Sequence, residues 1–452
     1  MTGIPLIIAF VVAVVLMIIA ISKWKVHPFL SIMGVSVLLA LVAGIPLTDV
    51  PGVIGAGFSG TFSSIGIVII LGALIGSILE QTGAALKLAD MVVKLVGKKN
   101  PELALELMGW VVSIPVFCDS GFVILDPIRK ALVKRTGSSS VAATVALSAG
   151  LYISHVFIPP TPGPIAAANT LGIGDNLLLV IGLGVLCSIF PLAAGLVYAK
   201  FIGKKVKSKD ELVEAGEVVK TYEELVAGYG KLPGGFNALA PIIVPVILMA
   251  LGTIGKQLGV TGFALNLLTF LGTPIISLAV GTIFAIAQLA IAKKMGEFYK
   301  ITNDTLKTVG PILFVTAAGG VLGKVISSTT MVAYITENAN FLMNLGIFFP
   351  FLLAAILKTA QGSSTVAITT TAGIMAPMMV SLGLGTPVMG ALTVMAIGAG
   401  AMTVSHANDS YFWVVTNFGE MTPDQGYKTQ TILTLVMGIA SIIGIFLVSL
   451  FF

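Results

Sequence analysis

Nineteen consecutive residues from Ile4 to Ser22 carry no charge, and runs of similar character recur at Ile65–Leu79, Ala142–Ser154 (extending to Ile158), Asn237–Leu251 and Thr431–Leu450. Segments of this kind can cross a hydrocarbon core about 30 Å thick as helices, because a helix satisfies its own backbone donors and acceptors where no water is present. Only 10% of the 452 residues are charged and 56% are hydrophobic, so lipid rather than water is the solvent this chain is written for. The expected fold class is an all-α polytopic membrane protein. The first run has no basic segment before it and no small-residue cleavage site, which reads as a retained span rather than a signal peptide.

The placement of Lys and Arg sets an orientation. They gather at Lys23/Lys25, Lys87–Lys99, Arg129–Arg135, Lys200–Lys231 and Lys293–Lys307, with Lys428 near the end. The stretches Leu47–Phe62, Gly172–Asn176 and Ser327–Asn340 contain none and are assigned to the outside, the basic stretches to the cytoplasm. Only Lys256, Lys324 and Lys358 depart from the pattern. About ten complete crossings then leave both termini outside. The formal net charge of +5 follows from these loops; no basic run is interleaved with aromatics, which argues against nucleic acid as a partner. The two cysteines, Cys118 and Cys187, sit apart in apolar segments, so neither a disulfide nor a metal cluster is expected.

Leu103–Pro127 begins and ends beside basic stretches and reads as a re-entrant hairpin from the cytoplasm, turning near Cys118-Asp119-Ser120-Gly121. Phe341–Leu382 begins and ends in Lys-free loops and reads as a second hairpin from outside, turning near Lys358–Ser364. Residues 203–236 include the one long hydrophilic stretch and form a cytoplasmic linker, dividing the chain into residues 1–202 and 237–452. Three features recur in order across that linker: Gly76 and Gly323, Asp119 and Gln361, Ser154-His155 and Ser405-His406. Together with the opposed hairpins they predict an inverted-topology repeat, an architecture that binds solute where the halves meet.

Four polar motifs interrupt apolar sequence, where ionisable groups are costly and mark candidate sites. Asp119, beside Ser120 and Gly121, can exchange a proton or cap the helix that follows. In Ser154-His155-Val-Phe-Ile-Pro159-Pro160-Thr161-Pro162-Gly163-Pro164, four prolines in six residues forbid a continuous helix, so freed carbonyls and Thr161 can meet a polar ligand while a new helix N-terminus faces an anion. Lys358, followed by Gln361, Gly362, Ser363, Ser364 and Thr365, suits a carboxylate with adjacent hydroxyls, or a lysine that snorkels to an interface. In Ser405-His406-Ala-Asn408-Asp409-Ser410, His406 and Asp409 can pair if the segment stays helical. His155 and His406 are assigned to binding, and Asp119 and Asp409 to proton coupling.

These motifs carry a resemblance. Gly121-Phe-Val, Pro159-Pro160-x-Pro162-Gly163-Pro164, Gly362-Ser363-x-Thr365-Val366 and Ser405-His406-x-Asn408-Asp409-x-x-Phe412-Trp413 are similar to the gluconate permease family over the full length of the chain. The resemblance implies a proton-coupled symporter of a small hydroxy-carboxylate in a bacterial inner membrane, built as a homodimer and needing no cofactor. Thr161, Asp119 and Lys358 stand where the family commonly has His, Glu and Arg. Lysine offers a point charge rather than a bidentate fork, which leaves gluconate, D-serine and glycerate-type acids all open as substrates.

Other classes fit less well. Sodium coupling on the same fold is the near alternative, since unwound carbonyls bind hard cations. A membrane-embedded enzyme would also use Asp, His and Ser, but no His-Glu-x-x-His motif is present. No Gly-Lys pair is followed by Ser or Thr as in a P-loop. The chain reads as a carrier, not an enzyme.

Overall fold

The computed structural model describes residues 3–96, 100–212, 232–257, 261–330, 334, 345–406 and 409–452. Among them the regular structure is helical throughout. Eight helices are long and apolar enough to cross a membrane, and Pro28–Ala43, Gly262–Gly272, Phe348–Ala360 and Pro387–Met402 are shorter apolar ones. The predicted all-helical, membrane-spanning class is what is observed.

The first half carries α1 (Ile4–Ser22), α2 (Pro28–Ala43), α3 (Val50–Gln81), α4 (Ala84–Val96), α5 (Pro101–Val112), α6 (Cys118–Thr136), α7 (Ser140–Phe157), α8 (Pro162–Thr170) and α9 (Leu177–Ile202). After a single turn, α10 (Lys209–Leu212), come α11 (Gly235–Gln257), α12 (Gly262–Gly272), α13 (Pro274–Ile291), α14 (Phe298–Ser327), α15 (Phe348–Gln361), α16 (Ser364–Met375), α17 (Pro387–Met402), α18 (Ser410–Phe418), α19 (Pro423–Gly426) and α20 (Ile432–Ser449). Residues 47–62, read from sequence as a loop region, mostly belong to α3, which runs unbroken for 32 residues.

Burial sorts these helices into two layers. Every residue of α7 is buried, as is nearly all of α16 and α17, which suits their small side chains and their lack of a polar stripe. Around them α1, α9, α11, α12 and α13 expose large apolar residues such as Val197, Phe236, Phe263 and Ile283, the face such a protein turns to lipid. α3 packs along α14, α5 along α7, α15 along α17, and α8 against α16.

Local chemistry explains the interruptions that matter. α7 starts where Ser139 accepts a bond from the Ala142 amide at 3.3 Å and stops before Pro159-Pro160, which cannot donate. α5 and α6 are separated by Ser113–Phe117, where Pro115 lacks an N–H and Ser113 Oγ donates to the Val116 carbonyl at 2.9 Å. The turn therefore comes before the segment expected from sequence, and Asp119 to Gly121 already lie in the first turn of α6. α15 ends at Gly362, whose φ of 91° is left-handed and favours glycine. Residues 341–344 at the start of the second expected hairpin, and 213–231 of the linker, lie outside the described residues.

Candidate functional site

Four helix interruptions meet at one place. A cavity of about 270 Å³ is lined by Phe117, Cys118 and Asp119 from the α5–α6 break, Tyr152 and His155 from the end of α7, Gly362, Ser363, Ser364 and Thr365 from the α15–α16 break, and Asp409, Ser410 and Tyr411 from the start of α18. The N-termini of α6, α16 and α18 thus share one space. Each brings unsatisfied amide hydrogens and the positive end of a helix dipole, a setting that favours an anion. The caps differ: Ser363 accepts from the Val366 amide at 3.3 Å and Asp409 from the Tyr411 amide at 3.1 Å, whereas Phe117 at the head of α6 provides no side-chain cap.

Against this wall stands a sealed ion pair. Lys358 Nζ lies 2.5 Å from Asp409 Oδ2 and also donates to the Gly362 carbonyl, one turn on, where α15 ends. The lysine is fully buried and its ammonium sits 5.8 Å from the Tyr152 ring centroid. Asp409 Oδ2 additionally accepts from Ser405 Oγ and, at 3.5 Å, from the Tyr152 hydroxyl. The snorkelling lysine weighed from sequence is absent, because a buried carboxylate and a freed carbonyl hold the ammonium inside. Asp119 lines the same cavity, accepting from Ser410 Oγ, the residue after Asp409, at 3.2 Å. His155 is buried, its ring 5.9 Å from Phe117 and 6.5 Å from Tyr152, and its Nδ1 has no hydrogen-bond partner among the described residues.

Of the residues singled out in the sequence, Asp119, His155, Gly362, Ser363, Ser364, Thr365 and Asp409 line the cavity, and Lys358 stands behind Asp409. Gly121 lies in α6, where an added Cβ would press on Leu151 Cδ2 at 2.6 Å. Thr161 does not line the cavity; its hydroxyl donates to the Ile158 carbonyl at 2.7 Å and so closes the turn between α7 and α8. Gly163 does not either, and provides the close approach of α8 to Ile368 on α16. His406 does not pair with Asp409: Ser405 and His406 lie outside any helix, and the His406 ring meets the Thr359 carbonyl at 2.9 Å. Asn408 and the side chains of Ser120 and Gln361 lie outside the described residues.

Phe117, Cys118, Tyr152, Ser410 and Tyr411 line the cavity as well, and sequence reasoning assigned them no role. Tyr152 precedes His155 by three residues on α7 and so shares its face. Projecting that face from His155 would have found it.

The model of the GntP family permeases matches residues 4–451. An uncharacterized permease of Haemophilus influenzae is 34% identical over 92% of this chain and 86% of its own length. The inner membrane permease YgbN of Escherichia coli is 32% identical over 97% of both, and the low-affinity gluconate transporter of Escherichia coli is 30% identical over 98% of both. Among solved structures, the YdaH transporter of Alcanivorax borkumensis, described as having an unusual topology, superposes with a TM-score of 0.63 at 15% identity, covering 94% of this chain and 99% of that one; this likeness speaks to the fold. Matched over almost its whole length, the chain belongs to the GntP family of permeases.

Proposed function

We propose that this permease is a secondary active transporter carrying gluconate, or a related small hydroxy-carboxylate, into the cytoplasm in symport with a proton. The observation that carries the proposal is the Lys358–Asp409 pair at the edge of a cavity into which three helix N-termini open. A substrate carboxylate and the Asp409 carboxylate compete for the same ammonium. When Asp409 takes up a proton it releases Lys358, and the arriving carboxylate replaces the charge that was lost. Proton and anion then enter together as a neutral pair, which avoids burying net charge, the costly alternative in a low-dielectric interior. Asp119, bonded to Ser410 beside Asp409, is the second carboxylate available to relay the proton. Ser363, Ser364 and Thr365 are positioned to bond substrate hydroxyls, and the ring of His155, which also lines the cavity, supplies a further contact.

Proton rather than sodium coupling is favoured because the Gly362 carbonyl, an acceptor a sodium ion would use at this tip, is taken by Lys358. The transporter names of the relatives agree with a gluconate-like substrate, and one relative is named as an inner membrane protein. In this reading residues 1–202 and 237–452 are inverted repeats joined by a cytoplasmic linker at 203–236, both termini lie outside, the α5–α6 and α15–α16 pairs are opposed re-entrant hairpins, and the protein works as a dimer. The order of interruptions supports the repeat: a helix pair meeting at a tip, then a broken span, occurs once in each half.

Uptake of labelled gluconate into proteoliposomes, with and without an inward proton gradient, tests the proposal. Gradient-stimulated accumulation that is lost in Asp409→Asn, while gluconate exchange persists, is the expected result. Accumulation driven by sodium alone, or unchanged coupling in Asp409→Asn, would reject it.

A further inference from the structure

A second cavity, of about 250 Å³, lies beside the first. Its walls are Ser77 and Glu80 on α3, Lys300, Asp304 and Thr308 on α14, and the Pro115–Phe117 turn. Ser77 and Thr305 join the two helices across it through a 2.8 Å hydroxyl bond. Lys300, Asp304 and Thr308 are exposed, so this space communicates with the surroundings of the protein. It is a passage rather than a resting place for an organic acid: Glu80, Glu297 and Asp304 outnumber Lys300, and a carboxylate gains no net attraction from such a wall.

One side chain belongs to both cavities. Phe117 is the common lining residue, with the backbone passing from the outer space at Pro115 and Val116 to the inner one at Cys118 and Asp119. We infer that Phe117 is the gate between the substrate cavity and a release vestibule on the α3–α14 face. The inference rests on reading the inner cavity as the substrate site. Three features suit the residue to the task. Its ring is only partly buried, with the His155 ring as a neighbour at 5.9 Å between centroids. Its φ and ψ are extended at the head of α6, and only its carbonyl joins the helix, accepting from the Gly121 amide at 2.8 Å. Its neighbour Pro115 is braced by α3, where an added Cβ on Gly76 would fall 2.0 Å from the Pro115 carbonyl, so the ring can swing while the turn stays put. The vestibule opens beside the basic stretch Lys293–Lys307, which makes it the cytoplasmic exit in the orientation proposed above.

The native Cys118, lining the inner cavity directly behind Phe117, reports on the gate. In a Cys187→Ala background, its rate of reaction with a negatively charged methanethiosulfonate is measured in reconstituted protein with Phe, Leu, Ala or Trp at position 117. A Thr308→Cys reporter in the vestibule, with Cys118→Ser, is measured alongside. The expected result is a rise of about tenfold or more for Cys118 in Phe117→Ala, a smaller rise in Phe117→Leu, none in Phe117→Trp, and a constant rate at Thr308→Cys. An unchanged Cys118 rate across the series overturns the gate, and so does a parallel rise at both reporters, which would mean general loosening. No solute enters this readout, so its failure is distinct from failure of the gluconate assignment.

Discussion

Lys358 Nζ and Asp409 Oδ2 are 2.5 Å apart, the lysine fully buried and the aspartate touching only the cavity. A pair so enclosed is a weak source of stability as long as both charges are present and a large liability when one is removed.

That asymmetry gives the first prediction. Lys358→Ala strands a buried carboxylate and is expected to cost about 3–5 kcal/mol, seen as a sharp fall in melting temperature in detergent. The double variant Lys358→Ala/Asp409→Ala is expected to recover most of the loss while transporting nothing. A double variant no more stable than the single one would show that the pair does not dominate the energetics of this region.

His155 lines the cavity and has a buried Nδ1 with no hydrogen-bond partner among the described residues. If the substrate supplies the partner, His155→Ala removes one hydrogen bond to a charged ligand, about 1.5–3 kcal/mol. This predicts a rise in KM for uptake of roughly tenfold or more, alongside a loss of stability from truncating a buried ring. Equal KM values in wild type and variant would remove His155 from the binding set.

Gly76 leaves no room for a side chain, because a Cβ there would lie 2.0 Å from the Pro115 carbonyl, a backbone atom that cannot rotate away. Gly76→Ala is expected to displace the α5–α6 turn at a cost of about 1–3 kcal/mol and to lower transport rate as well as melting temperature. Gly52, whose Cβ would meet nothing, serves as the control: Gly52→Ala is expected to be neutral by both measures.

At the end of the bundle, Glu211 closes the first turn of the linker onto α7. Burial pushes its carboxyl up, but an ion pair with Lys207 at 2.7 Å, the Ser139 hydroxyl at 2.7 Å and the Val141 amide at 3.2 Å outweigh burial and hold it below the ordinary carboxylate value. A depressed value means the stabilisation is complete above the unfolded carboxylate range and is lost as pH falls through the folded one. Glu211→Gln should therefore lower stability at neutral pH, by about 1 kcal/mol, with the difference closing below about pH 4. Thermal unfolding of both proteins as a function of pH measures it.

The fold class was legible because its signals are local. Long uncharged runs, the prolines at 159–164 and the glycine at 362 act on their own stretch of backbone. The cavity was legible to the extent that polar residues in apolar sequence advertise themselves, as Asp119, His155 and Asp409 do. Pairing was not legible. Nothing in the spacing of Lys358 and Asp409, 51 residues apart, announces that one neutralises the other, and the nearer candidate His406 lost because its backbone is not helical. The Thr161 bond was not legible either: a hydroxyl beside prolines has freed carbonyls of its own to meet, and it donates to that of Ile158. Tyr152 and Tyr411 were hidden because an aromatic in an apolar helix looks like core until the cavity beside it is known.

Arg129 has a mechanical consequence. Fully buried, it bonds Asp126 on its own helix at 2.6 Å, Ser140 at the head of α7 at 2.6 Å, and the Phe418 carbonyl at the foot of α18 at 3.2 Å. One guanidinium thus rivets α6, α7 and α18 together at their far ends from the cavity. A motion that prised α6 from α18 would have to shear charge-assisted bonds with no water to replace them, whereas a motion that carried all three together would leave the rivet untouched. The walls contributed by these helices are built to travel as one cargo bay, and the sliding seam has to be sought between that block and the helices outside it.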